Sequence, residues 1–104
     1  MDDGRNRQLK ADLLKALGQP TRLKILELLA EGERCVCEIF PAINAEQSNI
    51  SKHLAFLRSQ GIVIAERRGM RVFYRLAERR IVKLLDDAEE CLKGTGKARV
   101  SQGA

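Results

Sequence analysis

Between Gln47 and Gln60 the chain reads QSNISKHLAFLRSQ, with Ile50, Leu54 and Leu57 at helical spacing. That spacing puts one aliphatic stripe on a helix. Ser48, Asn49, Ser51 and Lys52 fall off the stripe, within its first two turns. Short polar side chains at the N-terminal end of a helix with an aliphatic back suit a DNA major groove. An ordinary amphipathic surface helix carries the same pattern. Gly61 follows as a C-cap, and IVIAERRGMRVFYRL then reads as two short strands around a turn. Ile62, Ile64, Val72, Tyr74 and Leu76 alternate at period two, so one face of this hairpin is expected to pack on the helices. Arg68-Gly69 marks its tip.

The remaining elements follow from the same patterning. Met1 to Arg5 is polar and expected to fray. Leu9, Leu13, Leu14 and Leu17 predict a helix over Asn6 to Leu17, broken by Gly18-Gln19. Pro20 is placed for the first turn of a second helix, Pro20 to Ala30, which carries Leu23, Ile25, Leu26 and Leu29 and ends at Gly32. A short apolar segment, Cys35 to Ile43, and a turn at Asn44 to Glu46 lead into the polar-faced helix. Together they form a helix-turn-helix with the hairpin as a wing. A last helix, Glu78 to Lys93, presents Ile81, Val82, Leu84, Leu85, Ala88 and Leu92. That stripe is wide for a terminal helix and suggests a twofold homodimer, together with the Leu9–Leu17 helix. The fold class expected is mainly α with a β-hairpin wing. Residues 1–93 make one domain, and residues 94–104, with Gly, Ser and Lys, make a flexible tail.

Composition agrees with a helical host. The chain is 44% hydrophobic but has no Trp and only four other aromatics, so its core must be aliphatic. At 104 residues it holds one modest core. A net charge of +5 and a pI near 9.4 favour a polyanionic partner, nucleic acid before membrane. No apolar run approaches the ~20 residues needed to span a bilayer, and the chain is expected to be cytoplasmic. No glycine-rich phosphate loop or nucleophile–base pair can be assembled around the single histidine, so an enzyme is not expected. Arg67, Arg68, Arg71 and Arg75 lie on or near the hairpin, either as a solvated edge strand or, beside a helix-turn-helix, as phosphate or minor-groove contacts.

Three cysteines in a reducing compartment argue against a disulfide scaffold. Cys35 and Cys37, one residue apart, match neither a zinc ribbon nor a thioredoxin-type pair. Thiolates without clustered His or carboxylate favour soft, thiophilic ions. On an α-helix residues i and i+2 point about 200° apart, whereas in an extended segment they share a face. Binding one centre through this pair is therefore expected to unwind or distort the helix start. Pro41 fits such a movable segment, because it cannot donate a hydrogen bond to the Cys37 carbonyl. The alternative is that both are small core-lining residues.

The runs ALGQPTRLKILELLAEGE, RCVCEIF, QSNISKHLAFLRSQGIV and ERRGMRVFYRL, in that order, closely resemble the ArsR/SmtB metalloregulatory repressors. The resemblance spans Leu9 to Leu92. It implies a dimeric winged helix-turn-helix that holds double-stranded operator DNA and leaves it when an inducer binds. In the arsenic- and antimony-sensing branch an E-x-C-x-C-[DE]-[LI] box supplies the thiolates, and here that box runs from Glu33 to Ile39. Cys35 and Cys37 would ligate trivalent arsenic, As(III) as arsenite, or antimony, Sb(III). Relatives often add a third Cys three residues on, where this chain has Phe40. Cys91 in the last helix either completes the site, across the dimer, or packs. The zinc-sensing branch needs His in the terminal helix, which has none, and cadmium or lead sensors add N-terminal cysteines, absent before Cys35.

His53 lies in the S-x-H-L part of the helix motif, where a partly buried, hydrogen-bonded structural role is expected. Gln47, Ser48, Asn49 and Ser51 are the candidates for base edges, with Asn49 able to pair bidentately with adenine. Lys52, Arg67, Arg68 and Arg71 would hold phosphates. Two alternatives remain open. One is a repressor responding to oxidants or reactive sulfur by pairing Cys91 with Cys35 or Cys37. The other is a constitutive, architectural DNA-binding protein whose cysteines only pack.

Overall fold

The computed structural model describes residues 3–97. Helix α1 (Asp3–Leu17) starts ahead of its leucine stripe, so Asp3 to Arg5 of the segment expected to fray are helical, while Met1 and Asp2 lie outside the described residues. Asp3 lies in the first turn, where a carboxylate meets the positive end of the helix dipole. The Gly18 N–H donates to the Leu14 carbonyl at 3.0 Å and closes the helix. Helix α2 (Pro20–Ala30) has the bounds its sequence predicts. Gln19 caps it in an extended conformation, its side-chain oxygen accepting from the Arg22 N–H at 2.8 Å. Pro20 fills the first turn, where a missing N–H costs nothing.

Gly32, at φ +143°, then turns the chain in a conformation L side chains rarely adopt. Strand β1 (Arg34–Cys35) and helix α3 (Val36–Ala42) follow, and helix α4 (Gln47–Ser59) completes the helix-turn-helix. Strands β2 (Val63–Arg68) and β3 (Arg71–Leu76) form the hairpin, and helix α5 (Arg80–Gly94) ends the fold. Gly94 is thus helical, Thr95 caps α5, and residues 98–104 of the expected tail lie outside the described residues. No described helix is long and apolar enough to cross a membrane.

The core is aliphatic throughout. Ile25, Leu26 and Leu29 of α2 meet Ile39 of α3 and the Ile50–Leu54–Leu57 stripe of α4, all but excluded from solvent. Each such side chain contributes about 1.5–3 kcal/mol by burial. The stripe that orients α4 inward is therefore what turns Gln47, Ser48, Asn49, Ser51 and Lys52 outward, and all five are exposed.

The sheet departs from expectation in two ways. It has three strands, in the order β1-β3-β2, all antiparallel, because Arg34 and Cys35 pair with Tyr74 and Phe73. Two residues are too few to show a period, so β1 left no pattern to read. The facing of β2 is also shifted, while Val72, Tyr74 and Leu76 of β3 turn inward as expected. Val63 is buried and Ile64 is exposed, the reverse of the assigned alternation. Ile62 is buried ahead of the strand, donating its N–H to the Leu57 carbonyl and accepting from the Ala77 N–H. Alternation therefore begins at Val63, which faces Leu76, and continues through Ala65 opposite Tyr74.

Helix α5 buries only Ile81 fully; Val82 and Leu85 are half-buried. Leu84 and Leu92 stay exposed, as do Leu9 and Leu14 of α1. A groove between α1, α2 and α5 is lined by Leu14, Leu17, Leu23, Leu84, Leu85 and Ala88. The stripe read from the sequence is thus split: Ile81, Val82 and Leu85 pack on the core, while Leu84 and Leu92 are left uncovered by the described residues.

Candidate functional site

The thiol pair sits where α2's exit meets the helix-turn-helix. Cys35 lies outside α3, as its N-cap, with extended φ −67° and ψ 145°. Its Sγ accepts the Cys37 N–H at 3.2 Å, and its own N–H donates to Glu38 Oε1 at 2.8 Å. These reciprocal bonds form a capping box with a sulfur in the usual hydroxyl position. Cys37, in the first turn, folds back so that the two Sγ atoms are in bonding contact, closed as a disulfide with Cα atoms 5.1 Å apart.

Two expectations change here. The sulfurs converge without unwinding α3, because the helix starts one residue later than a helical pair would need. Cys35 and Cys37, read as free thiols, are joined. Cys35 is buried and Cys37 exposed, so a reagent reaches the pair from the Cys37 side. Pro41 does lie inside α3, as the movable-segment reading required. Cys91 is an exposed free cysteine on α5. Among the described residues no group of three or more His, Cys, Asp or Glu could hold a metal ion.

The polar face of α4 opens into a shallow depression lined by Ala45, Glu46, Ser48, Asn49 and Lys52. Arg67 and Arg71 flank the hairpin tip, exposed and without an ion pair among the described residues. Met70 at the tip is 95% exposed. Arg68 differs. Its two terminal nitrogens donate to the two Glu33 carboxylate oxygens at 2.7 and 2.8 Å, and one also reaches Glu66 at 3.1 Å. The guanidinium lies 4.6 Å from the Phe73 ring centre. The hydrogen bond from Arg68 holds the Glu66 carboxyl below its ordinary value, and the bonds to Glu33 and then to Glu66 hold Arg68 more firmly charged. The three wing arginines expected at phosphates thus divide: Arg67 and Arg71 make no ion pair among the described residues, while Arg68 is committed to carboxylates.

His53 is half-buried, as expected, but its side chain makes no hydrogen bond among the described residues. Burial, then the charges of Arg22 and Lys52, lower its pKa and keep the imidazole neutral. Arg22 stacks 4.5 Å from the Phe56 ring centre and donates to the Lys15 carbonyl at 3.4 Å, while its buried Nε has no hydrogen-bond partner among the described residues. Neither the Glu33–Arg68 bridge nor this Arg22 contact was legible beforehand. Glu33 and Arg68 are 35 residues apart, and no local spacing rule pairs them.

Residues 19–65 match the family model for bacterial regulatory proteins of the arsR family. An uncharacterized HTH-type transcriptional regulator of Methanocaldococcus jannaschii is 46% identical over 81 residues, covering 74% of this chain and 91% of that one. The arsenical resistance operon repressor of Escherichia coli K12 is 40% identical over 87 residues, covering 80% of this chain and 74% of that one. Among solved structures, a homodimeric winged helix-turn-helix DNA-binding domain from Mycobacterium bovis, described as a possible ArsR-family transcriptional regulator, superposes with a TM-score of 0.79. It is 31% identical and covers 98% of this chain and 96% of its own. The α3–α4 pair, the β2–β3 wing and these relatives agree: the chain belongs to the ArsR/SmtB family of transcriptional repressors.

Proposed function

We propose that this chain is a homodimeric repressor that holds double-stranded operator DNA in the cytoplasm and releases it when trivalent arsenic or antimony binds Cys35 and Cys37. The observation that carries the reading is the convergence of two sulfurs, one buried and one exposed, at the cap of the first helix of the helix-turn-helix. In the reduced chain the same backbone presents a dithiol chelate for one thiophilic centre. Its ligation involves the atom that caps α3, so binding acts directly on the segment that seats α4. Gln47, Ser48, Asn49 and Ser51 would meet base edges, and Lys52, Arg67 and Arg71 phosphates. The exposed leucines of α1 and α5 would form the dimer face, with Cys91 packing there rather than serving as a third ligand.

The test is anisotropy of a labelled duplex from the chain's own promoter, with arsenite titrated into the complex under reducing conditions. Release from the wild type but not from Cys35→Ser is the expected result. Intact DNA binding with no release from either would sink the metalloid reading. Regulation unchanged after Cys35 and Cys37 are both replaced by Ser would favour a constitutive DNA-binding protein.

The bonding contact of the sulfurs favours a second reading, in which the pair answers an oxidant. Hydrogen peroxide would take two electrons from the two thiols, giving the Cys35–Cys37 disulfide and two waters. This version needs no Cys91. Peroxide-driven release that survives Cys91→Ser but not Cys37→Ser would support it.

A further inference from the structure

We propose that the Glu33–Arg68 ion pair is the link through which the state of Cys35 and Cys37 reaches the wing of the same protomer. The inference rests on the sensing role proposed for those cysteines. Glu33 stands two residues before Cys35, on the same short approach to α3, whereas Arg68 is the last residue of β2, next to the hairpin tip. Between them run two parallel N–H···O bonds of 2.7 and 2.8 Å. A bidentate guanidinium–carboxylate pair fixes orientation as well as distance, which a single bond does not.

The pair is one side of a closed circuit. Cys35 is the register partner of Phe73 in the β1–β3 ladder. The Phe73 ring stacks against the Arg68 guanidinium. Arg68 returns to Glu33, and Glu33 returns through Arg34 to Cys35. Glu66, the cross-strand partner of Phe73, supplies a further contact to Arg68, so the guanidinium is held from three directions. A shift of Cys35 on ligation therefore pulls β3 through the ladder and β2 through Glu33 together. The residues moved are those on either side of Arg67, Met70 and Arg71, which point at the DNA in the proposed complex. Arg68 is then a positioning residue for the wing rather than a phosphate contact, and Glu33 is its partner in the sensing segment.

The test compares the ratio of duplex Kd with and without arsenite in the wild type and in Glu33→Gln, which keeps the size of the side chain and removes its charge. Both partners are partly exposed, at 45% for Arg68 and 30% for Glu33, so the loss expected is about fivefold in that ratio. Duplex affinity without arsenite and arsenite binding itself are expected to stay unchanged. Backbone amide resonances of Arg67 and Arg68, on the strand reached through Glu33, should move on arsenite addition in the wild type and move less in Glu33→Gln, while those of β3, tied to Cys35 by the ladder, still move; a merely stabilising ion pair would not produce that difference. An undiminished ratio in Glu33→Gln, with wild-type release intact, overturns the link alone. Loss of arsenite binding in Glu33→Gln also overturns it, by placing Glu33 in the ligand site. Loss of duplex binding without arsenite does so by making the pair a requirement of the DNA-binding state itself. No release from the wild type overturns the sensing role, and the link falls with it.

Discussion

Replacing Glu38 by Ala removes one half of the capping box that starts α3, and its effect can be worked from the geometry. The helix is only seven residues long, and Pro41 withholds one of its internal donors. Its first N–H groups depend on partners outside the helix. One is met by Cys35 Sγ, a weak acceptor. The Glu38 carboxylate, accepting the Cys35 N–H at 2.8 Å, is the stronger half, and Cys35 is buried where water is scarce. Loss of such a cap costs about 1 kcal/mol, within a range of about 0.5–2. For a domain of this size that lowers Tm by about 4–8 °C per kcal/mol. Urea unfolding followed by circular dichroism, at one fixed protomer concentration because dimerisation is linked to stability, should show a lower midpoint with an unchanged slope. Glu38→Gln keeps an acceptor and should retain most of the stability. Overlapping curves for Glu38→Ala and wild type would refute the capping argument. Equal losses in the Ala and Gln variants would instead assign the effect to a negative charge at the helix start.

Three further outcomes are expected. Lys52→Ala should weaken binding to all duplexes alike and reduce the salt slope by about one; a loss confined to one operator would contradict a phosphate contact. Leu14→Glu with Leu84→Glu should make the chain sediment as a monomer, since both leucines are exposed on the unpartnered face, and an unaltered dimer would relocate the interface. The His53 imidazole should titrate below 6.5, because burial and then Arg22 and Lys52 disfavour its cation. With the folded value lowered, the stability tied to neutral His53 is present above 6.5 and lost as pH falls through the folded value. An NMR midpoint at or above 6.5 would show that burial and charge do not act as described.

The helices were legible because their signals are local and repeated. Pro20 and Gly32 punctuate α2, and three aliphatic residues at helical spacing orient α4. The hairpin was legible as an element, and so was the inward face of β3 at Val72, Tyr74 and Leu76; the facing of β2 was not, since Ile62 looks like a strand residue and is held by Leu57 and Ala77 instead. At the candidate site, residue types and spacing pointed to one thiophilic centre. The way the sulfurs meet was hidden, because whether Cys35 is a helical residue or a cap depends on Glu38 and on Phe73 across the ladder. Of the basic residues on the wing, charge could not separate Arg67 and Arg71 from Arg68, whose partner is distant in sequence.

Strand β3 is the middle of the sheet only because two residues cover its far side. Val72, Phe73 and Tyr74 give it a half-buried, β-prone centre, and Arg34 and Cys35 lie along that centre. An open edge of this composition is a template for pairing with another chain. The residue that carries the buried thiol is therefore also part of the seal against self-association. Chemistry that draws Cys35 away from Phe73 exposes an adhesive edge, so over-modified protein should be lost to aggregates before its helices melt.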